Sequence, residues 1–564
     1  MDQDKKLHLS RRTFVAGAAA AAFTVAGAAA LQGCGGTGST GGGTDTGGDS
    51  SKPTADNTLS YYLSEPACID PFDLKESEGT VVGSHLFDSL VDYDFVKGEL
   101  IPAAAKSWEV SDDATVFTFT LREGATFHNG DPVTAASFKY GWERMCNPKT
   151  DPTATSEITY HLAMVEGYQA LVDGEATQLT GVKAIDDLTL EVTLTQAYAD
   201  FIFVVMHPGL APIPEVAGDD FTAFQKAPIG NGPFKIDGEW VHDQYIRVLR
   251  FDDYYGNVPL VDGIDFKIFQ SPDTAFTEFQ AGNLDFTQIG EGQVLTTAAQ
   301  YGESSDGWTV NPGQQTLMGP ESSTYYIFMN NKDAALSDVK VRTAISYAIN
   351  RQAICDVIYE GTRAPADGIV PPGIDGYKKG AWPTAQYDVD KAKAALADAG
   401  FPGGEGFPTL KLSFNTGGGH ENLMQMIQAD LKAIGITADL DSMEWANYLD
   451  AIVAGQIQIG RLGWIADYPI MDNFLFSLFQ SESGDNHSHL ANPAVDAALL
   501  EARAIVDDDA RAKKYQEIDA LIAAEVPVAP IMFYRHHHVG SDRVNDLFYG
   551  PNYIPHLNEA WLTK

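Results

Sequence analysis

Residues 460–468 of this chain read Gly-Arg-Leu-Gly-Trp-Ile-Ala-Asp-Tyr. The stretch places Arg461 and Asp467 six residues apart, with Trp464 between them and glycines beside them. A ligand with an amine at one end and a carboxylate at the other, such as a peptide, could use both charges. A strand with a surface ion pair would show the same pattern, because exposed acids and bases are common and pair weakly. The rest of the chain decides between these two interpretations.

Length and charge bound the class of protein. A chain of 564 residues exceeds what one hydrophobic core organises, so we expect roughly two to four domains. The hydrophobic content of 44% is that of an ordinary folded protein. The 37 basic and 77 acidic residues give a formal net charge of −40, a field that repels a polyanion such as DNA. We therefore expect no nucleic-acid partner.

The N-terminal segment has the pattern of an export signal. A twin arginine at residues 11–12 precedes a mildly apolar, Ala-rich run over residues 15–31, and this order resembles a Tat signal. The run leads into Leu-Gln-Gly-Cys at residues 31–34, which resembles the lipobox of bacterial lipoproteins. A transmembrane anchor is disfavoured, because the run is short and rich in Ala and Gly. We expect residues 1–33 to be a signal peptide that is removed.

The four cysteines divide into one lipid site and three others. The resemblance to a lipobox implies that Cys34 carries a lipid. Residues 34–55 are nearly all Gly, Ser, Thr and Asp, and such a tract is expected to form a flexible tether. Because an odd number remains, at least one of Cys68, Cys146 and Cys355 must be a free thiol, and all three could be. Which of them pair is left open.

The pattern of apolar residues predicts an α/β protein. The first half is rich in strands, with clear two-residue alternation at 116–121 and 188–194. In the second half, helices alternate with strands: Ser337 is placed to cap a helix, residues 388–399 form another, and a strand is predicted at 436–440.

A family resemblance rests on several motifs. Ala-Lys-Ser-Trp-Glu-Val-Ser-Asp-Asp at 105–113 is followed by Phe-Thr-Leu-Arg-Glu-Gly at 119–124 and Phe-His-Asn-Gly at 127–130. Together they resemble the signature of peptide/nickel-type (family 5) extracellular solute-binding proteins. Further stretches agree in the expected order, at 228–234, 281–285, 341–351 and 460–468. The resemblance covers about residues 60–564, and it is closest to the oligopeptide-binding proteins of ABC peptide importers.

The resemblance implies a fold of the periplasmic-binding-protein type II (cluster C). Two α/β lobes are joined by a hinge of two crossing segments, the ligand is enclosed between them, and an extra domain is attached to the first lobe. Rough alignment gives lobe I as 56–77, 207–322 and 535–564, the extra domain as 78–206, and lobe II as 323–534.

The resemblance also implies ligand-binding residues. Asp467 matches the acid that binds a peptide α-ammonium, which is sound chemistry because charge-assisted hydrogen bonds are short and strong. Arg461 matches a base near the other end of the ligand, suited to a carboxylate. His420 matches a histidine at that same end, although a surface histidine at a helix N-terminus is an even alternative. Trp445 and Trp464 match the aromatic walls of side-chain pockets, although lone tryptophans more often pack in a core.

Other matching positions follow the peptide backbone. Gly463 and Asn415 lie in the segments that carry Arg461 and His420. Glu65 and the Tyr325–Tyr326 pair sit where family members line the floor of the cleft. Backbone contacts of this kind give affinity without reading side chains.

Two departures limit the family pattern. Some members carry a cysteine where this chain has Ile465, so the disulfide formed there is absent. A base that some members place shortly before residue 460 is replaced around Ala451 and Ile452. The carboxylate end of a ligand therefore has fewer charges to bind to.

The histidine-rich stretches 535–538 and 486–489 lack the third ligand of a metal site, and no nucleophile elbow or P-loop is present. We expect no cofactor, no metal and no enzyme. The sequence predicts a monomeric lipoprotein outside the bacterial cytoplasmic membrane that captures short peptides and delivers them to an ABC permease. Alternatives are another solute on the same fold, such as a sugar, heme or a metal chelate, and a surface peptide sensor or chaperone without transport.

Overall fold

The architecture is taken from a computed structural model that describes residues 57–563, except residues 152, 291, 417, 418 and 558 and the side chain of residue 446. The signal peptide, Cys34 and the tether lie outside the described residues. Among these residues, strands β1 to β24 follow one another in chain order as Thr58–Leu63, Val91–Asp94, Glu99–Pro102, Ala105–Val110, Val116–Leu121, Val182–Asp186, Thr189–Thr193, Phe234–Ile236, Tyr245–Arg250, Gly263–Ile268, Phe286–Gln288, Thr309–Val310, Thr316–Leu317, Pro320–Met329, Ala364–Pro365, Leu410–Asn415, Ala438–Met443, Ile459–Ile465, Val528–Arg535, His538–Gly540, Val544–Asn545, Leu547–Tyr549, Pro555–His556 and Trp561–Leu562.

Helices accompany the strands, mainly in the second half of the described chain. Helices α1 to α15 are, in chain order, Ser77–Leu86, Ala135–Cys146, Tyr168–Val172, Phe201–Val204, Phe221–Lys226, Pro272–Gln280, Val294–Tyr301, Val339–Ala348, Arg351–Ile358, Val389–Asp398, Glu421–Ala433, Trp445–Val453, Met471–Phe479, Pro493–Arg503 and Asp508–Glu525.

Three larger sheets organise the molecule. The lobe I sheet has seven strands in the order β13-β20-β11-β1-β10-β9-β8, and the lobe II sheet has six in the order β15-β19-β14-β18-β16-β17. The third sheet, β4-β5-β7-β6, is antiparallel throughout. The third sheet packs in one hydrophobic cluster, most of the lobe I sheet packs in a second, and the two faces of the lobe II sheet pack in two more. The prediction of an α/β fold is confirmed.

Strand β14 shows why the lobe II sheet is a central layer. Its residues after Pro320 are buried on both faces, as expected for a strand covered by helices on each side. Because side chains alternate along a strand, Tyr325 packs into the cluster on one face and Tyr326 into the cluster on the other.

Two neighbouring segments connect the lobes. Strand β14 leaves lobe II at Pro320, opposite Arg535 at the end of β19, and in lobe I Leu317 pairs with His538. Between them, the His536 amide donates to the Gly319 carbonyl at 2.9 Å. The two crossing segments therefore run side by side and form a narrow hinge.

Helix α1 packs with lobe I, since Val81, Val82 and Leu86 lie in the same cluster as the lobe I sheet. It falls inside the range 78–206 that the alignment gives to the extra domain. The cluster of the third sheet also reaches into lobe II, because it includes Tyr468 and Ile470.

Two local expectations differ from the structure. Asp338, not Ser337, caps α8: its carboxylate accepts from the Lys340 amide at 2.9 Å, while the Ser337 hydroxyl donates to the Ala334 carbonyl. Strand β17 begins two residues later than predicted, because the Ile436 amide still bonds back to Leu431 at the end of a helix.

The three cysteines of the described chain are free and buried, as Cys68, Cys146 and Cys355. No helix within the described part of the chain is long and apolar enough to cross a bilayer.

Candidate functional site

A cleft of about 640 Å³ lies between the lobes. Lobe II contributes Gly463 to Asp467 at the end of β18, together with Trp445 at the start of α12. The opposite wall comes from α1 and from residues 552–557, and Tyr160 reaches the cleft from the region of the third sheet. Lobe I, lobe II and the region of the third sheet therefore meet at this cavity.

Asp467 is a half-buried carboxylate at this cleft. Asn473 donates its side-chain amide to the Asp467 carboxylate at 2.9 Å, and the Tyr160 hydroxyl also approaches it. Burial raises the pKa of Asp467 to about 6, although these two neutral partners partly offset the effect. Within the described part of the chain, no Lys, Arg or His forms an ion pair with it. The cleft thus presents a carboxylate that lacks a cation.

Asn473 joins Asp467 to Trp464. Its side-chain oxygen accepts from the Trp464 indole N–H at 2.9 Å and from the Asp467 amide at 3.1 Å. Asn473 is fully buried in the first turn of α13, so it holds both neighbours at the edge of the cleft. The sequence analysis did not find this residue; an amide six residues after the acid was its only signal.

Arg461 lies on the opposite face of β18 from Trp464, since the two are three residues apart on one strand. Its Nε donates to the Asn415 side-chain oxygen at 2.9 Å, and its guanidinium lies 5.6 Å from the Trp445 ring centre and 5.7 Å from that of Tyr325. No carboxylate in the described chain forms an ion pair with it. Arg461 does not line the 640 Å³ cavity itself, but it touches Trp445, which does.

His420 and Arg363 stand beside Arg461. The His420 Nδ1 lies 3.5 Å from the Tyr325 hydroxyl, and its Nε2 is buried without a hydrogen-bond partner. Burial, with Arg461 and Arg363 nearby, lowers the pKa of His420 to about 3, so the ring is neutral. The Arg363 guanidinium packs between the Tyr359 and Tyr534 rings at 4.6 and 4.5 Å, and its Nε and Nη1 reach no acceptor. Arg363 was not predicted.

Gly463 lies in the chain between Arg461 and Asp467, beside Tyr534. A side chain there would come within 3.0 Å of the Tyr534 hydroxyl, so glycine keeps the space beside Tyr534 open. Trp445 is 45% exposed, as a wall residue of an open cleft should be.

Two predicted residues lie elsewhere. Tyr326 is 2% exposed and packs in a lobe II hydrophobic cluster, where it does not line the cleft. Glu65 pairs with His242 at 2.7 Å and accepts from the Asp243 amide, so its carboxylate is already used within lobe I. Neither residue contributes to the cavity that Asp467 lines.

Asp485 and Tyr160 also line the cleft and were not singled out. The signal for Asp485 was its place just before the 486–489 stretch. Tyr160 carries no sequence signal, because it meets Asp467 from a distant part of the chain. Residues 535–538 form no metal site, and the described residues contain no group of three or more His, Cys, Asp or Glu placed to hold a metal ion.

The arrangement separates charge on the two sides of Gly463. Asp467 lines the 640 Å³ cavity, whereas Arg461, Arg363 and the neutral His420 lie outside the lining of that cavity, with Arg461 beside Trp445 and Tyr325. Buried unpaired charges are costly unless a ligand supplies the opposite charge. The site therefore suits a ligand with a cation at one end and an anion at the other.

Comparison with known proteins identifies the family of this chain. Residues 99–486 match the family model for bacterial extracellular solute-binding proteins, family 5 Middle. The chain is 30% identical over 516 residues to the oligopeptide-binding protein OppA of Bacillus subtilis (strain 168), covering 87% of this chain and 90% of that protein. It superposes on the murein tripeptide binding protein MppA of Escherichia coli with a TM-score of 0.77 and 26% identity, over 91% of this chain and 99% of that one.

A further solved structure, Haemophilus influenzae OppA in complex with RPPGFSPFR, gives a TM-score of 0.74 at 26% identity, over 90% of this chain and 100% of that one. The family match spans more than half of the sequence, and the fold agrees over nearly all of it. The chain belongs to family 5 of the bacterial extracellular solute-binding proteins.

Proposed function

We propose that this protein captures short peptides and delivers them to an ABC permease. The observation that supports this proposal best is Asp467, a half-buried carboxylate that faces the cleft without a cation among the described residues. A peptide α-ammonium supplies that cation. The relatives named for peptide binding support the same class of ligand.

The opposite end of the peptide would reach the basic group. Arg461 binds the carboxylate, with His420 as a second contact and Arg363 close behind. An extended peptide advances about 3.3 Å per residue, so fixed charges at both ends favour peptides of about three to five residues. Water could bridge the gap left by a peptide that is one residue too short. We expect little preference for particular side chains.

The whole molecule would act by closing on its ligand. Rotation about the paired segments near Gly319 and His536 brings the lobes together and presents a new surface to the permease. Lipidation at Cys34 would hold the protein, as a monomer, at the outer face of the membrane. It performs no covalent chemistry, so a bound peptide should leave unchanged in mass.

The test uses an isosteric change at Asp467. Asp467→Asn keeps the hydrogen-bonding shape but removes the charge, and should weaken binding of Ala-Ala-Ala by about 2–5 kcal/mol, the usual loss when one partner of a buried charge pair is removed. N-acetyl-Ala-Ala-Ala should lose a similar amount on the unchanged protein. Isothermal titration calorimetry measures both, with Asp439→Asn, an exposed acid on β17, as the control.

Equal affinity for the acetylated and free peptides would contradict the role of Asp467. A sugar, heme or metal chelate has no amine for this acid, so binding of such a solute with no effect of Asp467→Asn would favour that alternative. A cleft that stays open with peptide bound, and no permease partner, would favour a sensor or chaperone.

A further inference from the structure

The cleft contains a second carboxylate without a cation. Asp485 lines the same cavity as Asp467, from the loop that follows α13. Within the described chain, its carboxylate accepts no hydrogen bond, and its side chain remains 37% exposed. Burial and the charge of Asp467 raise the pKa of Asp485 to about 6. Two carboxylates that repel each other thus face one space.

The neighbouring histidine does not neutralise Asp485. The His487 Nε2 lies 4.0 Å from the Asp485 carboxylate, beyond a hydrogen bond. Burial and His489 lower the pKa of His487 to about 4, so its ring is neutral at pH 7.

The loop holds Asp485 in place. The Asn486 side-chain amide donates to the carbonyls of Gln480 at 3.1 Å and Leu490 at 2.8 Å, and its oxygen accepts from the Ser488 hydroxyl at 2.8 Å. Asn486 and Ser488 are 4% and 2% exposed. The loop backbone that carries Asp485 is therefore held in place before any ligand arrives, which lowers the entropy lost on binding.

The rest of the cavity adds negative charge. Seven carboxyl groups line it against one lysine, Lys75, which already pairs with Asp73 at 3.3 Å and Glu157 at 2.7 Å. Burial raises the pKa of one of the seven, Glu76, to about 8, so that group is neutral at pH 7. Burial lowers the pKa of the lining histidines, to about 4 for His85 and His207 and below its usual value for His556. One peptide α-ammonium leaves this field far from balanced.

We propose that Asp485 is a second cation-binding residue, which holds the side chain of a lysine or arginine at the first position of the peptide. This inference rests on the proposed function, with the α-ammonium at Asp467, and it adds selection for peptides that begin with a basic residue. A hydrogen bond to a charged group contributes on the order of 10- to 100-fold in affinity.

The test compares two peptides of matched shape. Lys-Ala-Ala and norleucine-Ala-Ala differ in one ammonium group, and Ala-Ala-Lys moves that group to the far end. Calorimetry at pH 7.5 should show Lys-Ala-Ala binding about 10-fold or more tightly than norleucine-Ala-Ala, with no such gain for Ala-Ala-Lys. Asp485→Asn should abolish the gain of Lys-Ala-Ala over norleucine-Ala-Ala.

Glu482→Gln is the matched control, since Glu482 is an exposed acid of the same loop that does not line the cleft. It should keep the preference for Lys-Ala-Ala. Equal affinities for Lys-Ala-Ala and norleucine-Ala-Ala, or a preference that survives Asp485→Asn, would overturn the inference while peptide binding itself stands. If no tripeptide binds, the proposed function fails as well. If 1,5-diaminopentane binds more tightly than Lys-Ala-Ala, the two carboxylates bind a free diamine, and the assignment to a peptide side chain is wrong.

Discussion

At the scale of single residues, the site is a set of charges whose partners must come from outside. Arg461 is held by Asn415 and by two aromatic rings, and these contacts fix its direction without neutralising it. Asp467 is held in the same way by Asn473 and Tyr160. Neutral partners position both charges, and the free charges remain available to a ligand.

The role of Arg461 is tested by changing the ligand as well as the protein. Arg461→Ala should weaken binding of free-carboxylate peptides by about 1.5–3 kcal/mol, because a charge-assisted hydrogen bond is lost. C-terminally amidated peptides should change little. Calorimetry on a length series from two to eight residues measures both, and we expect an optimum at about three to five residues.

A similar loss for free and amidated peptides would show that Arg461 does not bind the carboxylate. Affinity that rises steadily through the longest peptides would show that the cleft is open at that end.

Binding should depend on pH through Asp467. Because burial raises the pKa of Asp467 to about 6, the carboxylate is ionised above that value and protonated below it. A peptide α-ammonium has a pKa of about 8. Affinity for Ala-Ala-Ala should therefore be highest between these values and should fall as the pH drops from 6 to 4.5, which calorimetry in a buffer series measures.

Asp467→Asn should remove this acidic limb of the pH profile. Stability changes in the opposite direction: ionising Asp467 costs more in the fold than in the unfolded chain, so the unliganded protein loses stability as the pH rises from about 4 to 6. Thermal melts of the Asn variant should lack this loss. A wild-type affinity that is flat from pH 4.5 to 7 would contradict the assignment.

At the scale of elements, one buried network ties three helices of lobe II to the third sheet. Asp472 on α13 accepts from Arg503 on α14 at 2.9 and 2.7 Å and from Tyr515 on α15 at 2.8 Å. Tyr198, from the region of the third sheet, donates to the same carboxylate at 2.7 Å. Asp472 is 1% exposed, so its charge is fully compensated inside the protein. The network fixes α13, which carries Asn473 beside the site.

Removing Arg503 should leave the Asp472 carboxylate buried without a cation. Arg503→Met keeps most of the volume, and we expect it to lower the free energy of unfolding by about 3–5 kcal/mol, the usual cost of breaking a buried ion pair. Urea denaturation followed by fluorescence measures the change. The Asp472→Asn/Arg503→Met double variant should recover part of the loss.

Arg250→Met is the control, because Arg250 pairs with the exposed acids Asp252 and Asp262. Its cost should stay below about 1 kcal/mol, as for other surface pairs. If Arg250→Met and Arg503→Met lowered the free energy of unfolding equally, the buried position of the Asp472 network would add nothing to stability.

At the scale of the whole molecule, two features bear on ligand binding: the negative charge of the cleft and the two segments that join the lobes. The chain carries a formal net charge of −40, and seven Asp and Glu side chains line the cleft between its lobes. Two adjacent crossing segments connect the lobes, so a small change in backbone angles near Gly319 and His536 would move one lobe relative to the other. A cationic ligand end would draw the acidic walls together.

The anchor is tested on the full chain. Cys34→Ala should release the protein from the membrane or leave its signal unprocessed, because the proposed lipid would attach to that sulfur. Fractionation and mass spectrometry of the mature N-terminus measure the two outcomes. One acyl chain holds only weakly, so we expect several on Cys34. A mature N-terminus elsewhere, without lipid, would contradict this prediction.

The sequence by itself determined the local structure and the family. Alternating apolar residues and caps act over a few neighbours, and the structure confirms the helix predicted at 388–399, which spans Val389–Asp398 with Asp388 as its N-cap. The motifs at 105–130 and 460–468 were enough to place the chain in its family and fold class. Trp464 and Asp467 were found this way, because both lie in the motif at 460–468, and Trp445 was found as a further position that matches the family.

Only the tertiary structure decided which charges share a space. Asp467 and Asp485 are brought together by packing between lobe II and its loop, and Tyr160 joins them from more than 300 residues away. Glu65 looked like a cleft residue until folding placed it against His242, 177 residues distant. Alternation along β14 sets Tyr325 and Tyr326 on opposite faces, but which face lies beside Arg461 depends on the neighbouring strand. Periodicity and caps encode short-range geometry, whereas contacts between distant segments depend on how the layers pack.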